Sequence, residues 1–189
     1  MYRQKEVNEI YRLVQSGDSL LIVGSTGVGK SYLSRALIEK SKLDRPLKSG
    51  LLAIYLSVEE ISQLTSSDVY RLLLKKLIDG VNERSLPYKV LEESEIFAPV
   101  SDLFLLEKIR TLLKMILDAN FRILIVVDGL ERLADFLDES FFNNLRSLRD
   151  LKQSYLSYVF LCRPKIFEAE RAAKIEPVFR FVSANVLHL

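Results

Sequence analysis

Gly24, Ser25, Thr26, Gly27, Val28, Gly29, Lys30 and Ser31 form an unbroken G-x-x-x-x-G-K-S/T octet, with Tyr32 directly after it. The octet follows a short apolar run, Leu20-Leu21-Ile22-Val23, and opens a segment with helical spacing. Glycines at 24, 27 and 29 let the backbone curl until successive N–H groups converge on one point. A helix starting there adds the positive end of its dipole. Lys30 contributes an ammonium group and Ser31 a hydroxyl. Such a set suits a polyphosphate tail, with Lys30 against the β- and γ-phosphates and Ser31 on Mg2+, whose remaining ligands are water and phosphate oxygens. The stretch from Gly24 to Tyr32 is the expected nucleotide-binding segment. The competing reading is a glycine-rich turn with no ligand.

Two further sites carry matching chemistry. Asp128 ends the most hydrophobic run of the chain, Ile123-Leu124-Ile125-Val126-Val127. A carboxylate there, the pattern termed Walker B, would hold Mg2+ opposite Ser31; the plainer reading is an Asp-Gly turn. Hydrolysis also needs a group that orients the attacking water. Many ATPases have Glu directly after the Asp, but here that position is Gly129. Glu131 is the candidate base, with Glu59 and Glu60 as alternatives and an exposed Glu at a helix start as the competing view. Arg163 follows the run Tyr158-Val159-Phe160-Leu161. If that strand lies between the first and third, a guanidinium at its tip would sense the γ-phosphate; otherwise Arg163 is a surface residue before Pro164. Lys30, Glu131 and Arg163 are thus the expected catalytic groups, and Ser31 and Asp128 the expected metal ligands. No Asn-Lys-x-Asp guanine-reading motif occurs, so ATP is expected over GTP.

These residues must be positioned by a scaffold, and the patterning suggests one. Helical spacing runs over residues 6–15, 30–41, 67–81, 101–116 and 139–152, with a short helix at 166–173. Ser67-Asp68 and Ser101 are candidate N-caps. Near-continuous apolar runs at 20–23, 51–56, 122–127 and 158–161 read as strands covered on both faces, and 178–187 as a fifth. Pro46, Ser49 and Gly50 read as a loop, and 84–100 as irregular. Strands alternating with helices predict an α/β fold with a parallel sheet and right-handed crossovers. The octet, Asp128 and Arg163 all fall at carboxyl ends of strands, where ligands of such folds bind.

Composition narrows the class. A chain of 189 residues is long enough for one α/β core and too short for two ordinary ones. Its one cysteine, Cys162, excludes an internal disulfide and fits a reducing, cytoplasmic setting. Its one histidine, His188, excludes a His-based triad or a His/Cys zinc site. No secretory leader is visible and no apolar run reaches membrane-spanning length. The net charge of +2 does not indicate nucleic acid. Local basic clusters (Arg146, Arg149, Lys152; Arg163, Lys165; Arg171, Lys174) read first as solvated helix faces.

The chain resembles the STAND class of P-loop ATPases and, more broadly, their AAA+ and origin-recognition-like relatives. The resemblance rests on three segments besides the octet. Ile123 to Glu131 is similar to the hydrophobic-Asp-Gly-x-acidic pattern of NACHT-type members, with Arg132 where a second acid is usual. Val159 to Pro164 is similar to the strand-ending Arg motif, with Cys162 where Ser or Thr is usual. Tyr2 to Ile10 is similar to the Phe-x-Gly-Arg-x-x-Glu start of the group. The resemblance implies a three-layer α/β/α P-loop NTPase fold with a five-stranded parallel sheet ordered 5-1-4-3-2. It implies ATP and Mg2+ at the sheet's upper edge; slow hydrolysis follows if none of Glu131, Glu59 and Glu60 is well placed. It also implies a switch in which ATP promotes self-association through the ATPase core and ADP holds the protein closed. Residues 1–189 would then be a single core domain from a longer protein with a lid or winged helix beyond it. Three other readings stand beside the switch: a DNA-associated AAA+ or defence ATPase core, a small-molecule or nucleotide kinase, and an interaction domain with a dead site. The kinase reading needs an Arg-rich lid, and 84–100 offers only Arg84 and Lys89.

Overall fold

Five parallel strands form the centre of the molecule: β1 (Leu20–Val23), β2 (Leu51–Ser57), β3 (Arg122–Asp128), β4 (Leu156–Cys162) and β5 (Val186–His188). The computed structural model describes residues 3–43, 50–84, 100–182 and 184–189. The sheet order is β2-β3-β4-β1-β5, which is the expected 5-1-4-3-2 read from the other edge. Register places Ser57 beside Asp128, Asp128 beside Leu161, and Val23 beside Cys162. The tips of β1, β2, β3 and β4 therefore share one edge.

Strand side chains alternate between two cores, as the period of two demands. On one face Leu20 and Ile22, Leu124 and Val126, and Val159 and Leu161 pack with α1 (Gln4–Gln15) and α2 (Lys30–Leu43). On the other, Ile123, Ile125 and Val127, with Leu156, Tyr158 and Phe160, meet α3 (Ser66–Glu83), α4 (Asp102–Asp118), α5 (Leu130–Phe136) and α6 (Glu139–Arg149). The result is the expected three-layer α/β/α arrangement. Ser101 caps α4 as expected, its hydroxyl accepting from the Phe104 amide. Thr65, rather than Ser67 or Asp68, caps α3, accepting from the Asp68 amide.

The C-terminal third departs from the sequence expectation. The run 178–187 is not one strand: α8 (Glu176–Val182) occupies its first half, and only Val186–His188 pairs with β1. A short apolar run is compatible with either state, and packing decides it. Val178 and Val182, one turn apart, are fully buried, and Phe181 lies against the Tyr158 and Phe160 rings. Residues 166–173 form a 3-10 turn, Pro164–Phe167, followed by α7 (Ala169–Lys174). Helix α6 stops at Arg149 rather than near Lys152. Helix α5 begins at the helix start weighed for Glu131; Gly129, at φ +98°, turns the chain directly from β3 into it. Most of the loop expected around 46–50 and of the irregular stretch 84–100, Lys89 included, lies outside the described residues.

Candidate functional site

The shared strand edge opens into a cleft of about 710 Å³. Thr26, Gly27, Gly29, Lys30, Ser31 and Tyr32 line it from the octet and the start of α2, Asp128 and Glu131 from β3 and α5, and Arg163 from the end of β4. Gly24, Ser25 and Val28 of the loop are held by hydrogen bonds instead. Gly24 donates its amide to the Cys162 carbonyl, tying the loop to β4. Lys30 is bonded to the carbonyls of Gly24 and Ser25, and Val28 accepts from the Arg3 guanidinium at 3.1 Å.

The three glycines serve different needs. Gly27 and Gly29 have φ of +81° and +99°, the left-handed region that L-residues avoid. Gly24 does not; there a Cβ would lie 2.6 Å from Val28 Cγ1. The first two curl the loop and the third lets it close on itself. Lys30 Nζ donates to the Gly24 carbonyl at 2.6 Å and the Ser25 carbonyl at 2.8 Å. Its ammonium therefore rests on the rim of its own loop, beside the position a phosphate would take.

Opposite the loop, Asp128 accepts a hydrogen bond from the Tyr55 hydroxyl at 2.8 Å on Oδ2. Burial, and then the neighbouring carboxylate, push the Tyr55 phenol up to about 12. Sequence reasoning missed Tyr55, because in an apolar strand it reads as one more core residue. Its one signal was a polar tip two positions before the strand end.

Glu131 and Arg163, expected in separate roles, are partners. Arg163 Nε donates to Glu131 Oε1 at 2.6 Å, and the Arg163 amide donates to Oε2 at 3.3 Å. Glu131 is only 3% exposed, so the view of it as a solvent-facing helix-start residue is wrong. Its carboxylate holds the Arg163 guanidinium still more firmly protonated. The alternative bases Glu59 and Glu60 both line the cleft, and Glu60 also pairs with Lys76 at 2.9 Å. Arg132 also lines the cleft. Arg84, weighed above as a lid residue, instead donates to the Leu51 carbonyl at 2.9 Å.

The donor set fits Mg2+. Ser31 and Asp128 offer one hydroxyl and one carboxylate, and no group of three or more His, Cys, Asp or Glu gathers among the described residues. A sparse oxygen set of this kind suits an ion that retains waters and takes phosphate oxygens. Cys162 Sγ lies 3.7 Å from the Ile22 carbonyl, and burial pushes the thiol up to about 12. No helix of the described residues is long and apolar enough to cross a membrane.

Residues 13–169 match the family model of the AAA domain. The chain belongs to that family. It is a AAA+ ATPase domain with the P-loop fold. Solved structures share the fold at low sequence identity. The ORC1 protein of Aeropyrum pernix in complex with DNA matches at TM-score 0.69 and 14% identity, over 99% of this chain and 44% of that one. Drosophila ORC bound to DNA matches at 0.63 and 19%, over 100% and 42%. The Walker-type ATPase of Pyrococcus abyssi matches at 0.63 and 12%, over 98% and 52%. The AAA domain thus spans about half the length of these proteins or less. No curated protein sequence matches it.

Proposed function

We propose that this AAA domain binds ATP with Mg2+ in the cleft and acts in the cytoplasm as a nucleotide-dependent switch of conformation and self-association, with slow hydrolysis. The observation that carries this reading is the Glu131–Arg163 pair, set at the strand edge beside the loop. The pair joins the two residues that would report on the terminal phosphate. Lys30 leaves the carbonyls of Gly24 and Ser25 to meet the β- and γ-phosphates. Arg163, just past the end of the central strand β4, exchanges Glu131 for the γ-phosphate. Glu131, released, faces the attacking water as a base, and Glu59 stands in reserve. Ser31 and Asp128 would hold Mg2+, which when bound would supply neutralisation of the phosphate charge. ADP lacks the γ-phosphate and leaves Arg163 on Glu131, which distinguishes the two nucleotide states.

Calorimetry of the wild type and Lys30→Ala with MgATP tests the binding step. Loss of measurable binding in the variant is expected, because the fixed positive charge of the loop is removed. Equal affinity would overturn the reading. Arg163→Ala should narrow the preference for ATP over ADP, and an unaltered ratio would remove its sensing role.

A second reading is favoured by two of the structural relatives, which are bound to DNA. In it the same ATPase core serves a DNA-associated assembly. The ATP chemistry is the same in both readings; they differ in partner.

A further inference from the structure

Tyr55 and Asp128 sit on neighbouring strands of the sheet. Tyr55 is in register with Val126, two residues before Asp128, and Ser57 is directly beside Asp128. An aromatic side chain can span that diagonal, and the Tyr55 hydroxyl does, ending 2.8 Å from Asp128 Oδ2. Tyr55 and Asp128 both line the cleft. The hydroxyls of Ser34 and Ser57 also lie beside the phenol. Ser34 is fully buried and donates to the Ser31 carbonyl at 2.9 Å. Ser34 thus stands between the Tyr55 phenol, which holds Asp128 at the end of β3, and the main-chain carbonyl of Ser31 at the start of α2. Asp128 and Ser31 are the two residues whose side-chain oxygens fit Mg2+.

We propose that Tyr55 is a positioning residue for the divalent cation. It donates to one carboxylate oxygen of Asp128, fixes the rotamer, and leaves the other oxygen for the metal or its water. Without the phenol, Asp128 loses the hydrogen bond that holds Oδ2 and is free to rotate. The proposal rests on the reading of the cleft as a Mg2+–nucleotide site. Partners that orient metal-binding groups typically change metal affinity by about 10- to 100-fold when removed. With a single neutral donor at stake, the lower end, about tenfold, is expected.

The test uses Mn2+ as a paramagnetic probe, titrated into the full chain saturated with a non-hydrolysable ATP analogue, with free Mn2+ read by electron paramagnetic resonance. Nucleotide affinity is measured separately in EDTA. Tyr55→Phe should weaken Mn2+ binding about tenfold, leave the EDTA affinity unchanged, and have no further effect in an Asp128→Asn background. Unchanged Mn2+ affinity would overturn the proposal. So would an equal fall in the EDTA affinity, which would make Tyr55 a support of the cleft as a whole. Thermal unfolding of the ligand-free variant within a few degrees of wild type separates either result from misfolding. If the wild type binds no nucleotide even with Mn2+, the nucleotide-site reading itself fails. A wild type that binds both, beside an unaffected Tyr55→Phe, sinks the Tyr55 role alone.

Discussion

Replacing Arg163 by Ala removes the Nε that lies 2.6 Å from Glu131 and leaves the residue-163 amide, at 3.3 Å, on the same carboxylate. Glu131 is almost wholly buried, whereas the Arg163 side chain is 44% exposed. These two facts pull in opposite directions. A buried carboxylate stripped of a charged donor retains its desolvation cost, about 1–3 kcal/mol. A partner so exposed is screened, and water refills its place. The expected loss is about 1.5 kcal/mol, or roughly 3–6 °C in Tm for a chain of this length. With Gln at 131 there is no charge to strand, so the same substitution should cost only about 0.5 kcal/mol. The coupling between the two sites is then about 1 kcal/mol. Urea unfolding of the wild type, Arg163→Ala, Glu131→Gln and the double variant, without nucleotide, measures it. Additivity within about 0.3 kcal/mol would show that the contact contributes nothing and would remove the physical basis of the switch. The same Glu131→Gln protein should bind MgATP normally and turn it over more slowly; equal turnover would move the base to Glu59.

Two further expectations concern the scaffold. Gly17 has φ of +89°, and a Cβ there would lie 2.6 Å from the Ser154 Cα, so Gly17→Ala should cost about 2–4 kcal/mol in denaturant unfolding; a loss below about 1 kcal/mol would mean the 154 turn yields freely. The Cys162 thiol, raised to about 12 by burial and then by the Glu131 charge, stays neutral in the fold while it ionises near 9.0 in the unfolded chain. Its contribution to stability is therefore complete below that pH and is lost as pH rises toward 12, at up to about 1.4 kcal/mol per pH unit. Cys162→Ala should flatten the alkaline fall of the urea midpoint, and identical slopes would contradict the assignment.

Much of the site was legible because local chemistry dictates it. The octet has its residue types for reasons that act within eight positions: left-handed turns at Gly27 and Gly29, close approach at Gly24, charge at Lys30. Asp128 was legible because the five apolar residues before it, four of them β-branched and bounded by Asn120 and Gly129, read as a short strand buried on both faces. The C-terminal third was less so. Val178 to Val182 suits strand or helix equally, and the rings of Tyr158 and Phe160, twenty residues earlier in the chain, settle the choice. The start of α5 depends on the positive φ of Gly129, which an Asp-Gly pair only hints at.

The amino-acid sequence alone determined the glycine-rich octet, the strand-ending carboxylate of Asp128 and the alternation of strand and helix, since each depends on neighbours a few residues away. Only the folded chain decided which side chains meet across the strand edge. Tyr55 reaches Asp128 from 73 positions away, and Arg163 reaches Glu131 from 32. Such pairs depend on which strands are adjacent and in what register, and long-range packing sets both.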